Sequence, residues 1–344
     1  MNSDCKAADR SAINAIHNVS TASPKFTLQP ATTSRRGGYV LLMVLAVLVL
    51  MVTVLATLSK LSLRRALAAA DAQVRLQQRL GAESIEKALL PQAGKIFETL
   101  EEQTEQIRES TGNVVPTPKQ IRHAFTMGGV TFDIVLADED AKLNLNQVYH
   151  INGRQRCQAA ISELVGQDAG RAIRLIPATR PMPEEMLGSS AEEESDSAGD
   201  VIPRAFRSWG EVFDLDRLSA GYLGDASIPN VTNEITCWGG GSLNVRRASD
   251  RSIKAAAACV LSDAGAERLV SRYRENPNTS LEIVIQREAN TETSRIRLRK
   301  MLSETSSHFS LWMDASAVGR RSNRTFSVMH RTDDGMVINE RFAF

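Results

Sequence analysis

An uncharged run of twenty residues, from Tyr39 to Leu58, constrains this chain more than any other feature of its sequence. As an α-helix the run is about 30 Å long, which is the thickness of the hydrocarbon core of a bilayer. A core helix of a soluble protein seldom extends so far without a polar stripe. A cleaved secretory signal has a shorter apolar region, about 7–15 residues, followed by a small-residue cleavage site. This run instead continues into Lys60, Arg64 and Arg65, so we predict a single transmembrane helix at 39–58.

The composition of the whole chain narrows the class of protein. Its 344 residues correspond to about two domains, at roughly 150 residues each. A hydrophobic content of 42% with 24% charged residues allows a packed core and excludes a wholly disordered chain. The net charge of +1 gives no overall attraction for nucleic acid, so we predict no nucleic-acid partner. Four cysteines are too few for a disulfide scaffold.

The segment before the apolar run, residues 1–38, is rich in Ser, Thr and Asn and ends in Arg35-Arg36-Gly37-Gly38. It carries five basic and two acidic residues, a net charge of +3, which leaves −2 for the rest of the chain. A basic leader that stays in the cytoplasm agrees with the positive-inside rule. Lys60, Arg64 and Arg65 on the opposite flank argue against that orientation. Charge counting alone therefore leaves the orientation open.

Basic residues, then glycine, then an aromatic residue that opens a long apolar helix resemble the type IV prepilin signal. The resemblance implies that prepilin peptidase cuts between Gly38 and Tyr39 on the cytoplasmic face and methylates the new N-terminus. Glycine lets the backbone extend into a protease, and the Arg35–Arg36 pair holds the leader at an anionic leaflet. Residues 1–38 are thus predicted to be a cytoplasmic leader.

The fifth position after that cut is Met43, where most pilins carry a glutamate. In those proteins the carboxylate is understood to neutralise the N-terminal amine of a neighbouring subunit. A buried carboxylate without such a partner is costly, so a subunit at the filament tip should lack it. The absence resembles the minor pseudopilin K family of type II secretion (general secretion pathway protein K), whose members are placed at the tip. The alternative is that Met43 belongs to an ordinary membrane anchor.

The anchor is predicted to continue as a helix through 59–108. Ser59 to Leu90 is rich in good helix formers, and Pro91 should end or kink the helix before a second helical stretch at Ala93–Glu109. Small or apolar residues recur near one face of the first stretch at Ala66, Ala70, Val74, Leu80 and Ala88. That face has two interpretations, which are packing against other pseudopilin helices and packing on a sheet of this chain.

The remaining pattern indicates an α+β fold: a long N-terminal helix packed on an antiparallel sheet, with a large helical domain inserted between strands. We predict first strands in 109–146, a mainly helical insertion at 147–279 with an acidic loop at 177–203, and C-terminal strands at 280–344. Alternation in 309–315, 324–331 and 336–342, separated by turn residues, predicts three of these strands. The insertion should hold helices, listed here: Val148–Val165, Ala169–Ile176, Arg251–Ser262 and Ala266–Arg274. Thr279–Gln286 is open between helix and strand, and its β-branched content favours strand.

Two segments share a Leu-Asn element, in 143–146 and 243–246. The pseudopilin K family carries a repeated Asn-Leu-Asn element in these places, which Asn144 and Asn146 match fully and Asn244 in part, since Arg246 replaces the second asparagine. Lys142–Asn146 alternates as an edge strand does, and Asn146 or Gln147 lies near a predicted helix start. We interpret these asparagines as structural.

Enzyme chemistry finds no support in the sequence. The five histidines are scattered, and no metalloprotease, nucleophile-elbow, phosphate-loop or Cys-x-x-Cys motif is present. We therefore predict no catalytic residues and no cofactor. Three cysteines remain after the leader, Cys157, Cys237 and Cys259; one disulfide and one free thiol are compatible with the sequence, and the pairing stays open. Phe206, Trp209, Val212 and Phe213 share a helical face and are interpreted as core.

Calcium is the one ion that the sequence leaves open, because relatives in the pseudopilin K family bind calcium in the inserted domain. The weak candidates for ligands are Asp138, Asp140, Glu193 and Asp196. The calcium motif of those relatives is not recognisable here, so a solvated acidic turn is the preferred interpretation.

The resemblance as a whole implies a non-catalytic minor pseudopilin that initiates or caps the tip of the periplasmic pseudopilus. It implies a single-pass inner-membrane protein with a short cytoplasmic N-terminus and its bulk in the periplasm. Expected partners are the lipid bilayer, prepilin peptidase, the inner-membrane secretion platform and other minor pseudopilins in a tip complex. The alternatives are a minor pilin of a type IV pilus or competence system, and a membrane-tethered periplasmic hydrolase or binding module.

Overall fold

The computed structural model describes residues 37–111, 117–181, 203–219, 232–275, 279–319, 322–332 and 335–343. The chain divides into two compact units, Met1–Ala66 and Leu67–Phe344. In the first unit, residues 37–66 form the beginning of helix α1 (Gly37–Leu89). Side chains from 38 to 66 are exposed in this segment. The leader, 1–36, lies outside the described residues.

The second unit is built around a five-stranded antiparallel sheet. Its strands follow the order β1-β2-β7-β8-β9. They are β1 (Gln120–Met127), β2 (Val130–Asp138), β7 (His308–Ser316), β8 (Asn323–Thr332) and β9 (Gly335–Ala343). Gly128 and Gly129, with φ of 60° and 79°, close the β1–β2 hairpin in a two-residue turn that needs positive φ at both positions. The three C-terminal strands agree with the alternation that predicts them.

The helices and four short strands complete the second unit. The further helices are α2 (Ala93–Thr111), α3 (Leu145–Gly170), α4 (Trp209–Val212), α5 (Leu215–Ser219), α6 (Asp250–Ala257), α7 (Asp263–Glu275), α8 (Leu281–Glu288) and α9 (Glu292–Met301). The short strands are β3 (Leu143–Asn144), β4 (Ile235–Thr236), β5 (Leu243–Asn244) and β6 (Leu302–Ser303), which pair in parallel as β3–β4 and β5–β6. Helix α3 is interrupted at Gly153 and Gly166, whose φ angles are 72° and 84°.

The α+β class is confirmed. Helices α1 and α2 cover one face of the sheet, and part of a helical insertion covers the other face. The insertion joins β2 to β7, which are neighbours in the sheet although 169 residues lie between them. Phe309, Leu311 and Met313 point to the face that α1 and α2 cover. Trp312, one step out of phase with them, packs against the cluster of the insertion.

Helix α1 contacts the sheet through residues that the apolar pattern does not identify. Gln78 Nε2 donates to the carbonyl of Ala315 at 3.0 Å. Glu86 accepts from Ser327 Oγ at 2.8 Å and lies 3.2 Å from Arg341 Nε. Gln78, Glu86 and the intervening Ala82 and Ile85 are buried.

The face predicted from small residues is therefore not the one that packs on this sheet. Ala66, Ala70, Leu80 and Ala88 are exposed, and Val74 is half-buried. The predicted face followed apolar spacing only, whereas the sheet also takes up two polar side chains.

Gly81→Ala is expected to destabilise the second unit, because a Cβ at this position would lie 2.4 Å from the buried ring of Phe132. In an unhindered helix the same change stabilises by roughly 0.5–1 kcal/mol, whereas overpacking costs about 1–3 kcal/mol. The measurement is urea unfolding followed by tryptophan fluorescence. Phe132→Leu makes room for the methyl group, so Gly81→Ala should cost less when it is added to the Phe132→Leu variant than when it is made alone. A Gly81→Ala variant as stable as the wild type would contradict the close contact.

Other sequence expectations hold or fail for local reasons. Helix α1 ends at Leu89 and a short 3-10 turn holds Pro91 before α2 begins, as predicted. Ala169–Ile176 is not a helix of its own: α3 ends at Gly170, Ile173 forms a β-bridge with Phe213, and residues 174–176 have no regular secondary structure.

The segment at 279–286 is a correction. Helix α8 covers it, and its burial repeats at helical spacing through Leu281, Val284, Ile285 and Glu288. The helices of the insertion continue to Met301, so the C-terminal strands begin at Leu302 rather than at residue 280.

Candidate functional site: a membrane-length helix and a buried polar junction

The apolar part of α1 is one candidate site. Within the described part of the chain, one helix is long and apolar enough to cross a membrane, and its apolar window is wholly exposed. Tyr39 and Met43 are 68% and 54% exposed. The hydroxyls of Thr53 and Thr57 each donate to a carbonyl three residues back at 2.8 Å. The two threonines of the run thus satisfy their hydroxyls within the helix, which is what a lipid environment requires.

The predicted processing site lies at the start of this helix. A Cβ built on Gly38 would meet nothing within 4 Å. Arg35 and Arg36 lie outside the described residues, so cleavage between Gly38 and Tyr39 stays a prediction.

A second candidate lies where β2 leaves the sheet. We call the buried residues Asp138, Glu139, Asp140 and Arg247 the polar junction. All four are at most 7% exposed, which is unusual for charged side chains and requires that each be paired.

Asp138 is the first carboxylate of the polar junction. Its Oδ1 accepts from the backbone amides of Asp140 and Ala141 at 3.0 and 3.2 Å. Its Oδ2 accepts from Arg247 Nη1 at 2.9 Å and from Ser306 Oγ at 2.6 Å. Burial, followed by the charge of Asp140, raises the pKa of Asp138 to about 6, although the hydrogen bonds from Ser306 and Arg247 act in the opposite direction.

Asp140 has a different balance. Its Oδ1 accepts from the amide of Gly240 at 2.7 Å, and its Oδ2 accepts from the amides of Ser307 and His308 at 2.8 and 3.0 Å. Burial alone would raise the pKa of Asp140, but the hydrogen bond and charge of His308, together with these amides, leave it below its ordinary value. His308 stacks on His330, with ring centroids 4.4 Å apart. Asp140 therefore joins the insertion, through Gly240, to the start of β7.

Glu139 also connects the insertion to β7. Its Oε1 accepts from Lys142 Nζ at 2.7 Å and from the hydroxyl of Ser310 on β7. Its Oε2 accepts from the hydroxyl of Thr236 on β4. The turn at 138–140 thus binds the sheet on one side and the insertion on the other.

Arg247 is the cation of the junction, and it also reaches α2. Its Nη2 and Nε donate to Glu101 Oε2 at 2.9 and 3.2 Å, while Nη1 serves Asp138. Its guanidinium carbon lies 5.6 Å from the centroid of the Phe97 ring. One side chain therefore holds together the insertion, α2 and the end of β2. Sequence reasoning missed both Arg247 and Glu101, because no local pattern distinguishes them from exposed charges.

The junction is saturated by protein donors. Each carboxylate oxygen of Asp138, Glu139 and Asp140 accepts at least one hydrogen bond from the chain. No group of three or more His, Cys, Asp or Glu placed to hold a metal occurs among the residues that the structure describes. The other calcium candidates, Glu193 and Asp196, lie outside that part of the chain. The ion pairs and hydrogen bonds of the polar junction hold β2, β7, α2 and the insertion together.

The two Leu-Asn elements have equivalent geometry. Asn144 Oδ1 accepts from the amide of Asn146 at 2.9 Å, and Asn244 Oδ1 accepts from the amide of Arg246 at 3.0 Å. The first element starts α3 with Asn144 as the capping residue, rather than Asn146 or Gln147 as the sequence suggested. Leu143–Asn144 is a buried two-residue strand of a parallel pair and not an alternating edge strand.

Asn146 performs another task. Its side-chain Nδ2 donates to the carbonyls of Phe206 and Cys237 at 3.2 and 2.9 Å, and its Oδ1 accepts from the backbone amide of Phe206 at 2.7 Å. The aromatic group around Phe206 is buried, as predicted for core residues.

The three cysteines of the described chain are free thiols. Cys157 and Cys237 are buried and Cys259 is half-buried. Burial raises the pKa of both Cys157 and Cys259 to about 12 and raises that of Cys237 as well. The thiols are therefore protonated and weakly nucleophilic at neutral pH.

Comparison with known proteins finds a likeness among solved structures and no match among sequences. No protein-family model and no curated protein sequence matches the chain. Among solved structures, the chain is similar to one in the crystal structure of the GspK–GspI–GspJ complex from the enterotoxigenic Escherichia coli type 2 secretion system. The likeness covers 80% of this chain and 99% of that one, at 13% identity and a TM-score of 0.35.

Proposed function

We propose that this chain is a minor pseudopilin of the K type, a non-catalytic component that initiates or caps the tip of the pseudopilus in a type II protein secretion system. One observation carries the proposal: an exposed, uncharged run of membrane length, Tyr39–Leu58, follows Gly38 directly and lies entirely within helix α1. Arg35 and Arg36 precede it in the sequence, so the segment combines a basic leader, a glycine and an apolar helix.

The apolar helix would serve in two environments. Prepilin peptidase cuts after Gly38, and the helix that starts at Tyr39 stays in the inner membrane until it joins a bundle of similar helices. Both environments are apolar, so neither exposes the run to water. The second unit then lies in the periplasm, where the secretion platform delivers the other subunits.

The tip position follows from Met43 and from the insertion. A thioether at this position needs no ionic partner, whereas a carboxylate buried in an apolar bundle does. For a subunit with no neighbour above it, no N-terminal amine is present to pair with such a carboxylate. The insertion between β2 and β7 adds bulk to the second unit, which would obstruct further subunits on its distal side.

Met43→Glu tests the tip position. A carboxylate buried in an apolar bundle is costly without an ionic partner, and it has no such partner at the tip. We expect the variant to lose tip assembly or to move into the shaft, as measured by crosslinking to shaft and tip subunits. Met43→Leu conserves volume and should assemble normally. Unchanged tip assembly of Met43→Glu would contradict the role given to the missing carboxylate.

Assembly is the experiment that tests the proposed function. The soluble part, from about residue 62, should co-purify with the ectodomains of two other minor pseudopilins of the same secretion system. Failure to bind them, or binding to minor pilins of a type IV pilus instead, would contradict the type II assignment.

A further inference from the structure

The three basic residues beyond the apolar run oppose the orientation that the leader favours, and the proposed function leaves them unexplained. Lys60, Arg64 and Arg65 are exposed and lie on the continuous helix α1. Residues 37–66 contain these three positive charges and no Asp or Glu. Within the described structure, none of the three forms an ion pair.

We infer that Lys60, Arg64 and Arg65 form a binding surface for anionic phospholipid headgroups at the periplasmic end of the membrane helix. This inference rests on the proposed function, because it requires that 39–58 span the bilayer. Lys60 lies two residues beyond Leu58, about 3 Å along the helix, and Arg65 about 10 Å. The polar headgroup layer is about 5–8 Å thick on each side of the hydrocarbon core. All three side chains therefore end at the depth of the lipid phosphates, since long basic side chains reach toward them.

Other arginines of α1 make a useful contrast. Arg75 Nη2 lies 2.8 Å from Asp71 Oδ2, and Arg79 Nε lies 3.4 Å from Glu83 Oε1, each four residues away on the helix. Those charges are compensated by the chain itself. Lys60, Arg64 and Arg65 have no acidic residue within five positions, which leaves their charges available to an anionic group outside the chain.

The surface also gives the orientation a physical basis. Lipid phosphates on the periplasmic side offset the cost of the three positive charges there, so a cytoplasmic position of the basic leader remains compatible with them. The basic surface holds the helix at a fixed depth in the bilayer before assembly. Leaving the bilayer for a filament then requires breaking these contacts as well as moving the apolar run.

The test measures lipid binding by the full chain in mild detergent, using native mass spectrometry with added phosphatidylglycerol or phosphatidylcholine. We expect the wild type to prefer phosphatidylglycerol. The Lys60→Gln/Arg64→Gln/Arg65→Gln variant should bind it about a hundredfold more weakly, at about a factor of five per charge. The leader is the same in every variant, so its charges do not affect the comparison.

Three controls decide the outcome. Arg75→Gln/Arg79→Gln removes two charges of the same helix and should leave lipid binding unchanged, while Lys60→Arg/Arg64→Lys/Arg65→Lys should retain it. Equal binding of the triple glutamine variant and the wild type would overturn the inference, as would equal loss in the Arg75/Arg79 control. Competition by inorganic phosphate at the same concentration would assign the site to free phosphate and overturn the lipid assignment.

Alkaline extraction of membranes separates this inference from the proposed function. If the full chain is released by carbonate, the transmembrane anchor fails, and the proposed function fails with it. If the chain resists carbonate but the triple variant binds lipid like the wild type, only the lipid surface is wrong.

Discussion

Arg247→Met is expected to lower the free energy of unfolding of the second unit by about 3–5 kcal/mol, the cost of leaving a buried charge without its partner. The change removes the donors to Asp138 and Glu101 while it keeps an unbranched apolar side chain over Phe97. The measurement is urea unfolding of the purified full chain in detergent, followed by tryptophan fluorescence. Trp209, Trp238 and Trp312 all belong to the second unit, so the signal reports on it alone.

The neighbouring residue provides a matched control. Arg246 is the same residue type, but its side chain is 53% exposed, and its charged contacts with Glu101 and Glu304 are 3.6 and 3.9 Å long. Exposed pairs of this kind contribute about 0–1 kcal/mol, so Arg246→Met should have little effect. Equal losses for the two variants would show that burial of Arg247 does not determine its contribution.

The pH dependence of the Arg247→Met variant gives a second readout. The pKa of Asp138 is already raised to about 6 by burial, and removing Arg247 should raise it further. A carboxyl group with a higher pKa in the folded state stabilises the fold at low pH and loses that stabilisation as the pH rises through the folded-state pKa. The deficit of the variant relative to the wild type should therefore be smaller near about pH 5 than near about pH 8. A deficit that grows on acidification would contradict an unpaired Asp138 as its cause.

Gly38→Leu is expected to abolish processing of the leader. A branched side chain prevents the close, extended approach of the backbone that glycine permits in a protease. The chain should then accumulate with residues 1–38 attached, as measured by intact mass after extraction from membranes. Gly37→Ala, one position earlier, should still be cut. Efficient cleavage of Gly38→Leu after residue 38 would contradict the assigned processing site.

Several elements follow from local sequence alone. The strands β7, β8 and β9 were predictable because Phe309, Leu311 and Met313 alternate with residues of the opposite face, and turn residues separate the strands. The membrane-length helix was predictable from one uncharged run. The break at Pro91 follows from its missing amide proton.

The sequence left the segment of helix α8 open between helix and strand, with strand favoured, for a reason that is also local. Ile283, Val284 and Ile285 are β-branched, which favours a strand, but Ser280 precedes the helix and Leu281, Val284 and Ile285 face the core at helical spacing. Tertiary packing overrides the propensity of these three residues.

The polar junction could not have been predicted, because its partners are distant in sequence. Asp138 and Arg247 are 109 positions apart, and Arg247 and Glu101 are 146 positions apart. The acidic turn at 138–140 had the composition of a solvated loop, yet the structure buries all three carboxylates. A pattern of charges indicates neither burial nor pairing until the chain connections that bring β2, α2 and the insertion together are known.

The N-terminus of the mature protein tests the central claim most directly. Mass spectrometry of the chain isolated from membranes should find a terminal peptide that begins at Tyr39 and carries one added methyl group. An uncut chain that begins at Met1, or a chain cut beyond Leu58, would contradict the account, since the apolar helix would then not be the anchor of a processed pseudopilin.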